Sequence, residues 1–194
     1  MTAARAWLVV VIGLLGGCAG EYQSFDPPPL DFSDRQPLDL AVDRVTIDSV
    51  YRPAGAPPYV DHVLPLTPEA ATRALLEQRL RAVGGTDRLQ AVILDASVQE
   101  EALETTPGVR GYLTTEMESR LNGSLKVRVD RLHPTGAVAG SVSTAVERSR
   151  GIPEGVGYAE RQRIAYELVR DLVGDLDAGL MANLRESFGE LIRP

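Results

Sequence analysis

The chain has 194 residues, with 20 Lys+Arg against 27 Asp+Glu and a formal net charge of −7. That length holds one domain with a sizeable core. The acidic balance excludes the usual nucleic-acid binder, which needs clustered Lys and Arg, and the single cysteine excludes an intrachain disulfide or a cysteine-based zinc site. Arg5 is the only charge in the first twenty residues, and an apolar run follows over residues 6–15. Ten residues are about half of the ~20 that a bilayer span requires, so the run matches a signal-peptide core.

The run ends at Leu15-Gly16-Gly17-Cys18, an aliphatic residue, two small ones and a thiol. Small residues let an extended chain enter a peptidase cleft, and the thiol is the one nucleophile there that can become a thioether. The pattern resembles the lipobox of bacterial lipoproteins. The resemblance implies cleavage before Cys18, acyl chains on Cys18, and residues 1–17 as a discarded leader. Loss of Arg5 takes the charge from −7 to −8, so lipid rather than charge would hold the protein to a membrane. Two or more acyl chains suffice for stable attachment. By the sorting rule of enteric lipoproteins, Ala19 after the cysteine implies the outer membrane.

Residues 18–37 are expected to be a Pro-rich tether. Pro27-Pro28-Pro29 favours an extended spacer, although Tyr22, Phe25, Leu30 and Phe32 could dock on the domain as an arm. Residues 38–194 are expected to form one periplasmic domain. Residues 38–51, rich in β-branched side chains, predict its first strand. A Pro-rich loop over 52–66 follows. Thr67 and Pro68 then mark a helix start, and Gly84-Gly85 marks its end. Ala71, Leu75, Leu76, Leu80 and Val83 make the buried stripe of that helix, and Glu69, Arg73, Glu77 and Arg81 a solvated ladder.

The second strand spans 91–100, with Val92, Leu94, Ala96 and Val98 on one face. The third spans 123–132, with Leu125, Val127 and Val129 inward. His133-Pro134-Thr135-Gly136 predicts a hairpin turn. The fourth strand spans 137–148, with Val138, Val142 and Val146 inward and small residues, Ala139, Ser141, Ser143 and Ala145, on the other face. A helix over 158–188 carries one apolar stripe from Ile164 to Leu184. Gly174 or Gly179 would be its natural break. The expected fold class is α+β, a single β-α-β-β-β-α domain. Its four strands are mainly antiparallel, and both helices pack on one face.

Catalytic patterns are missing. His62 sits in the Pro-rich loop and His133 in a turn, and neither has a nucleophile or acid in a motif with it. Gly151, Gly155 and Gly157 read as a flexible connection, and Asp171, Asp175 and Asp177 do not give one facing pair. No enzyme activity, cofactor or metal is therefore expected. The long loop over 101–122 is the positive feature: Tyr112, Leu113 and Met117 are apolar in a polar stretch, and long loops in compact domains tend to be functional. With Ala139, Ser141 and Ser143 they are the candidate partner-contact residues.

The lipobox together with this element order resembles two groups of envelope lipoproteins. One assembles lipopolysaccharide at an outer-membrane barrel; the other is the auxiliary lipoprotein of ABC-type lipid transport systems. The first group usually follows its cysteine with Gly-Phe and a basic residue, where this chain has Ala19-Gly20-Glu21. The resemblance implies a non-catalytic accessory that works through an envelope protein partner. A small-ligand or lipid-binding module would instead show an apolar pocket between sheet and helices. A glycan hydrolase would show two carboxylates converging in a cleft.

Overall fold

A computed structural model describes residues 25–104 and 117–193. The expected first strand is two strands, β1 (Leu38–Leu40) and β2 (Arg44–Ser49). The break has a local cause. Val42 N–H turns back to Leu40 O at 2.8 Å, and Asp43 N–H donates to Asp87 O at 2.7 Å, so the chain changes sheet. Helix α1 (Pro68–Arg79) starts as expected, with Thr67 Oγ1 accepting from Ala70 N–H at 3.3 Å. It ends before Val83, because Leu80–Ala82 leave the helix as β3 and pair in parallel with β1. Val83 is consequently 43% exposed rather than in the stripe. Arg81 pairs with Asp39 of β1 at 2.5 and 2.6 Å, outside the expected helical ladder.

Strands β4 (Arg88–Ala102), β5 (Met117–Leu132) and β6 (Val138–Pro153) form an antiparallel meander, and β2 joins β4 in parallel. The sheet order is β2-β4-β5-β6. Helix α2 (Tyr158–Ser187) closes the domain. The α+β class, the four-stranded sheet and the two helices on one face agree with the sequence reading, with a two-stranded sheet added. The strands run longer than expected. Sixteen residues at ~3.3 Å make the meander about 50 Å long. That length explains why α2 neither breaks at Gly174 or Gly179 nor projects: 30 residues at ~1.5 Å cover about 45 Å of sheet.

The core lies between the sheet and both helices. Leu75 and Leu76 of α1 and Leu168, Leu172, Leu176, Leu180 and Leu184 of α2 have no exposed surface. They meet Leu89, Ala91 and Ile93, then Ala96 and Val98, from β4. A register slip between Ile93 and Asp95 shifts the phase. Val92 and Leu94 are therefore not on the face of Ala96 and Val98, because a bulge inserts one residue and inverts the alternation. A second slip at the β5–β6 hairpin leaves Val138 63% exposed, contrary to its inward assignment. Gly123 allows α2 its close approach: a Cβ there would stand 2.4 Å from Leu172 Cδ1.

Residues 25–37 take the docked alternative. The Phe25 and Tyr166 rings meet at 5.6 Å, Phe32 is 6% exposed in the core, and Phe32 N–H donates to Gln78 Oε1 at 3.0 Å. Arg35 ends the crossing on Asp177 at 2.6 Å.

Candidate functional site: the open face of the sheet

Because both helices cover one side of the sheet, the other side is built from the alternate residues of β4, β5 and β6. The register sets it out in rows. Ser143 stands opposite Arg128, and Ser141 opposite Asp130 and, one strand on, Gln90. Ala145 follows Lys126 and Asp95, and Glu147 follows Ser124 and Ser97. Ala139, Ser141 and Ser143 are all exposed, and the register sets Ser141 and Ser143 on this side, while Ala139 is the unpaired residue at the β5–β6 slip. The β6 residues are small and uncharged, as their sequence says, but their neighbours on β5 are not. Ser141 donates to Asp130 Oδ1 at 2.6 Å, and Arg128 Nε donates to Asp130 Oδ2 at 2.9 Å. Asp130, 8% exposed, is thus the polar centre of the upper half of the face.

The lower half is hollowed. The Pro-rich loop returns along β4 beyond the end of β2: Val60 N–H donates to Val98 O at 2.9 Å and Glu100 N–H to Pro58 O at 2.8 Å. Tyr51 at its start and Tyr59 in its middle, with Arg52, wall a shallow depression of about 480 Å³. Asp95, Ser97, Gln99, Ser124 and Glu147 form its floor. A second hollow of about 310 Å³ continues past Asn122 and Ser149. Asp95 and Glu147 both line the first, but they stand on strands separated by β5. Under the loop, Asp61 is 1% exposed and faces Tyr51. Burial first, and the Asp61 charge after it, push the Tyr51 phenol well above its ordinary range. Among the described residues, neither Tyr51 Oη nor Asp61 Oδ1 has a partner in hydrogen-bond geometry.

The candidate residues fall in different places. Ser141 and Ser143 share the open face, and Ala139 lies exposed at the register slip beside it. Met117 opens β5 at the far lower end, 42% exposed, with its thioether lying over Gly151 of β6. Tyr112, Leu113 and Cys18 lie outside the described residues. Of the last-helix aspartates, Asp171 and Asp175 do share a face, contrary to expectation, because i,i+4 positions are neighbours on a helix: Arg148 of β6 reaches both, at 3.7 and 2.6 Å, and Arg150 reaches Asp171 at 2.7 Å, while Asp177 turns to Arg79 and Arg35. Sequence reading missed Tyr51 and Tyr59, which meet β4 only once the Pro-rich loop folds back along it, and Asp130, which meets Ser141 only through the β5–β6 register. The one available signal was an aromatic residue at the start and another in the middle of a Pro-rich loop. Among the described residues, leucines without exposed surface fill the space between sheet and helices; the two polar hollows lie on the open side of the sheet, and a third, of about 480 Å³, lies between the arm, β1 and the end of α2.

The fold and this face define a small α+β domain with one helix-covered and one open sheet surface. No family model matches the chain, and no curated protein matches it. Among solved structures it is similar to a Xanthomonas campestris protein of the DUF330 family, at 11% identity over 83% of this chain and 90% of that one, with a TM-score of 0.38. It is similar to a minor lipoprotein of Acinetobacter baumannii, at 14% identity over 80% of this chain and 98% of that one, TM-score 0.40. A third is the PelC dodecamer of Paraburkholderia phytofirmans, at 17% identity over 69% and 88% of the two chains, TM-score 0.25.

Proposed function

We propose that the protein is a lipid-anchored lipoprotein of the bacterial envelope, preferably of the outer membrane, acting as a non-catalytic accessory in assembly or transport through protein contacts. One observation carries the contact reading: a helix-covered core stands behind a sheet face left open, where the small residues Ser141, Ser143 and Ala145 of β6 run beside charged and polar rows on β5 and β4. Small side chains let another backbone approach closely, and the polar rows beside them offer donors and acceptors to fix its register. The anchor reading draws on the Leu15-Gly16-Gly17-Cys18 pattern after the apolar run. It agrees with the described helices, none of which is long and apolar enough to cross a membrane. Replacing Cys18 by Ser tests it. Cys18→Ser should accumulate as an unprocessed precursor and lose the acyl chains from its N-terminal peptide on mass spectrometry. Processed, acylated protein from the variant would sink the reading.

A further inference from the structure

The docked arm fixes where the chain leaves the domain. Helix α2 runs antiparallel to β6: Arg150 meets Asp171, Arg148 meets Asp175, and Thr144 Oγ1 accepts from Asn183 at 2.9 Å. The arm runs the same way as α2, from Phe25 beside Tyr166, through Arg35 on Asp177, to Asp39, whose carbonyl accepts from Arg193 N–H at 2.9 Å. Its upstream end therefore emerges at the pole that holds the start of α2. The same pole holds the end of β4 and the start of β5, since Arg161 reaches Glu100 at 2.6 Å and Glu118 at 3.4 Å. The β5–β6 turn at His133–Gly136 is at the other pole, about 50 Å away along the strands.

We propose that residues 25–37 are an orienting strap that presents the α2-start pole to the bilayer and turns the β5–β6 turn away from it. The inference rests on acylation of Cys18. Six residues lie between Cys18 and Phe25, and the seven steps that join them reach about 24 Å when fully extended, less than half the strand length. A free tether from Cys18 to Leu38 would reach about 65 Å and leave the orientation open. Among the described residues, charge does not bring this pole to lipid, because Glu101, Glu104, Glu118 and Glu154 are exposed there against Arg120 and Arg163. The strap does so by length. With the strands standing up from the bilayer, the open sheet face stays clear of lipid along its whole length.

The test uses the full acylated protein in phosphatidylcholine vesicles carrying a headgroup nitroxide quencher. The Cys18 sulfur is taken up in its thioether, so a thiol fluorophore reads only an introduced cysteine. Glu154→Cys lies at the near pole and Thr135→Cys in the far turn. The label at 154 should be quenched several-fold more than the label at 135. Phe25→Ser with Phe32→Ser, which frees the strap, should bring the two together. Equal quenching in the otherwise native, vesicle-bound chain overturns the orientation, and that comparison decides even where the strap variant unfolds. Vesicle binding by Cys18→Ser as strong as the native chain's would instead overturn the anchor reading beneath it.

Discussion

Arg79, the last residue of α1, donates from Nε to Asp177 Oδ1 on α2 at 2.8 Å, with 7% and 5% of the two side chains exposed. Arg79 also donates to Gln36 O on the arm, and Arg35 takes the second Asp177 oxygen at 2.6 Å. One buried carboxylate thus joins both helices and the arm. Asp177→Ala should cost roughly 3–5 kcal/mol, because it leaves the Arg79 guanidinium buried without its counter-charge. Arg35 has 40% of its side chain exposed, so Arg35→Ala should cost no more than about 1 kcal/mol. Urea denaturation of both variants checks the contrast, and equal losses would contradict it.

Leu172 has no exposed surface and lies against Gly123. Leu172→Ala should cost roughly 2–5 kcal/mol, as deletion of a buried leucine does. Gly123→Ala should cost about 1–3 kcal/mol from the opposite cause, overpacking of the same contact. Combining the two should recover part of the sum, since the smaller side chain makes room for the new methyl. A double-mutant cycle in urea that comes out additive would place the contact elsewhere.

Arg131 donates to Asp87 Oδ2 at 2.6 Å, and this bond holds the Asp87 carboxyl below its usual range against the opposing effect of burial, with His133 helping. Asp39 is lowered by Arg81 in the same way. A carboxyl whose folded-state pKa is depressed stabilises the fold above its unfolded pKa, near 4. That contribution disappears as pH falls toward the lower folded value. Thermal melts should therefore fall steeply below about pH 4. Asp87→Asn should melt lower at neutral pH and show a shallower acid slope. An unchanged slope would remove Asp87 from the linkage.

Ser143 and Ala145 are exposed on the open face of β6, away from the Ser141–Asp130 hydrogen bond. Ser143→Lys and Ala145→Lys place long charged stems where close approach is needed, so both should leave the melting temperature within about a degree or two, as exposed substitutions do. Crosslinking to the envelope partner in intact cells should drop sharply in the same variants. Retained crosslinking in both, or a melt several degrees lower, would end the contact reading of this face.

Local chemistry made much of the molecule legible from its sequence. The cap at Thr67-Pro68, the turn at His133–Gly136, the inward face at Leu125, Val127 and Val129, and the leucine stripe of α2 all follow from periodicity and side-chain type within a few residues. So does the separation of Asp177 from Asp171 and Asp175 around the last helix. Tertiary structure alone decided the remainder. Leu80 belongs to a helical pattern until Leu38 offers it a parallel strand, and Leu94 belongs to an alternating pattern until a bulge takes it out. Phe25 and Arg35 stand in a Pro-rich stretch that fits a spacer or a docked arm until α2 supplies a ring at Tyr166 and a carboxylate at Asp177. In each case the deciding partner is distant along the chain; Arg35 and Asp177 are 142 residues apart. A pattern that spans one turn or one strand carries no information about such a partner, because the free energy of the contact exists only once the core has brought the two ends together.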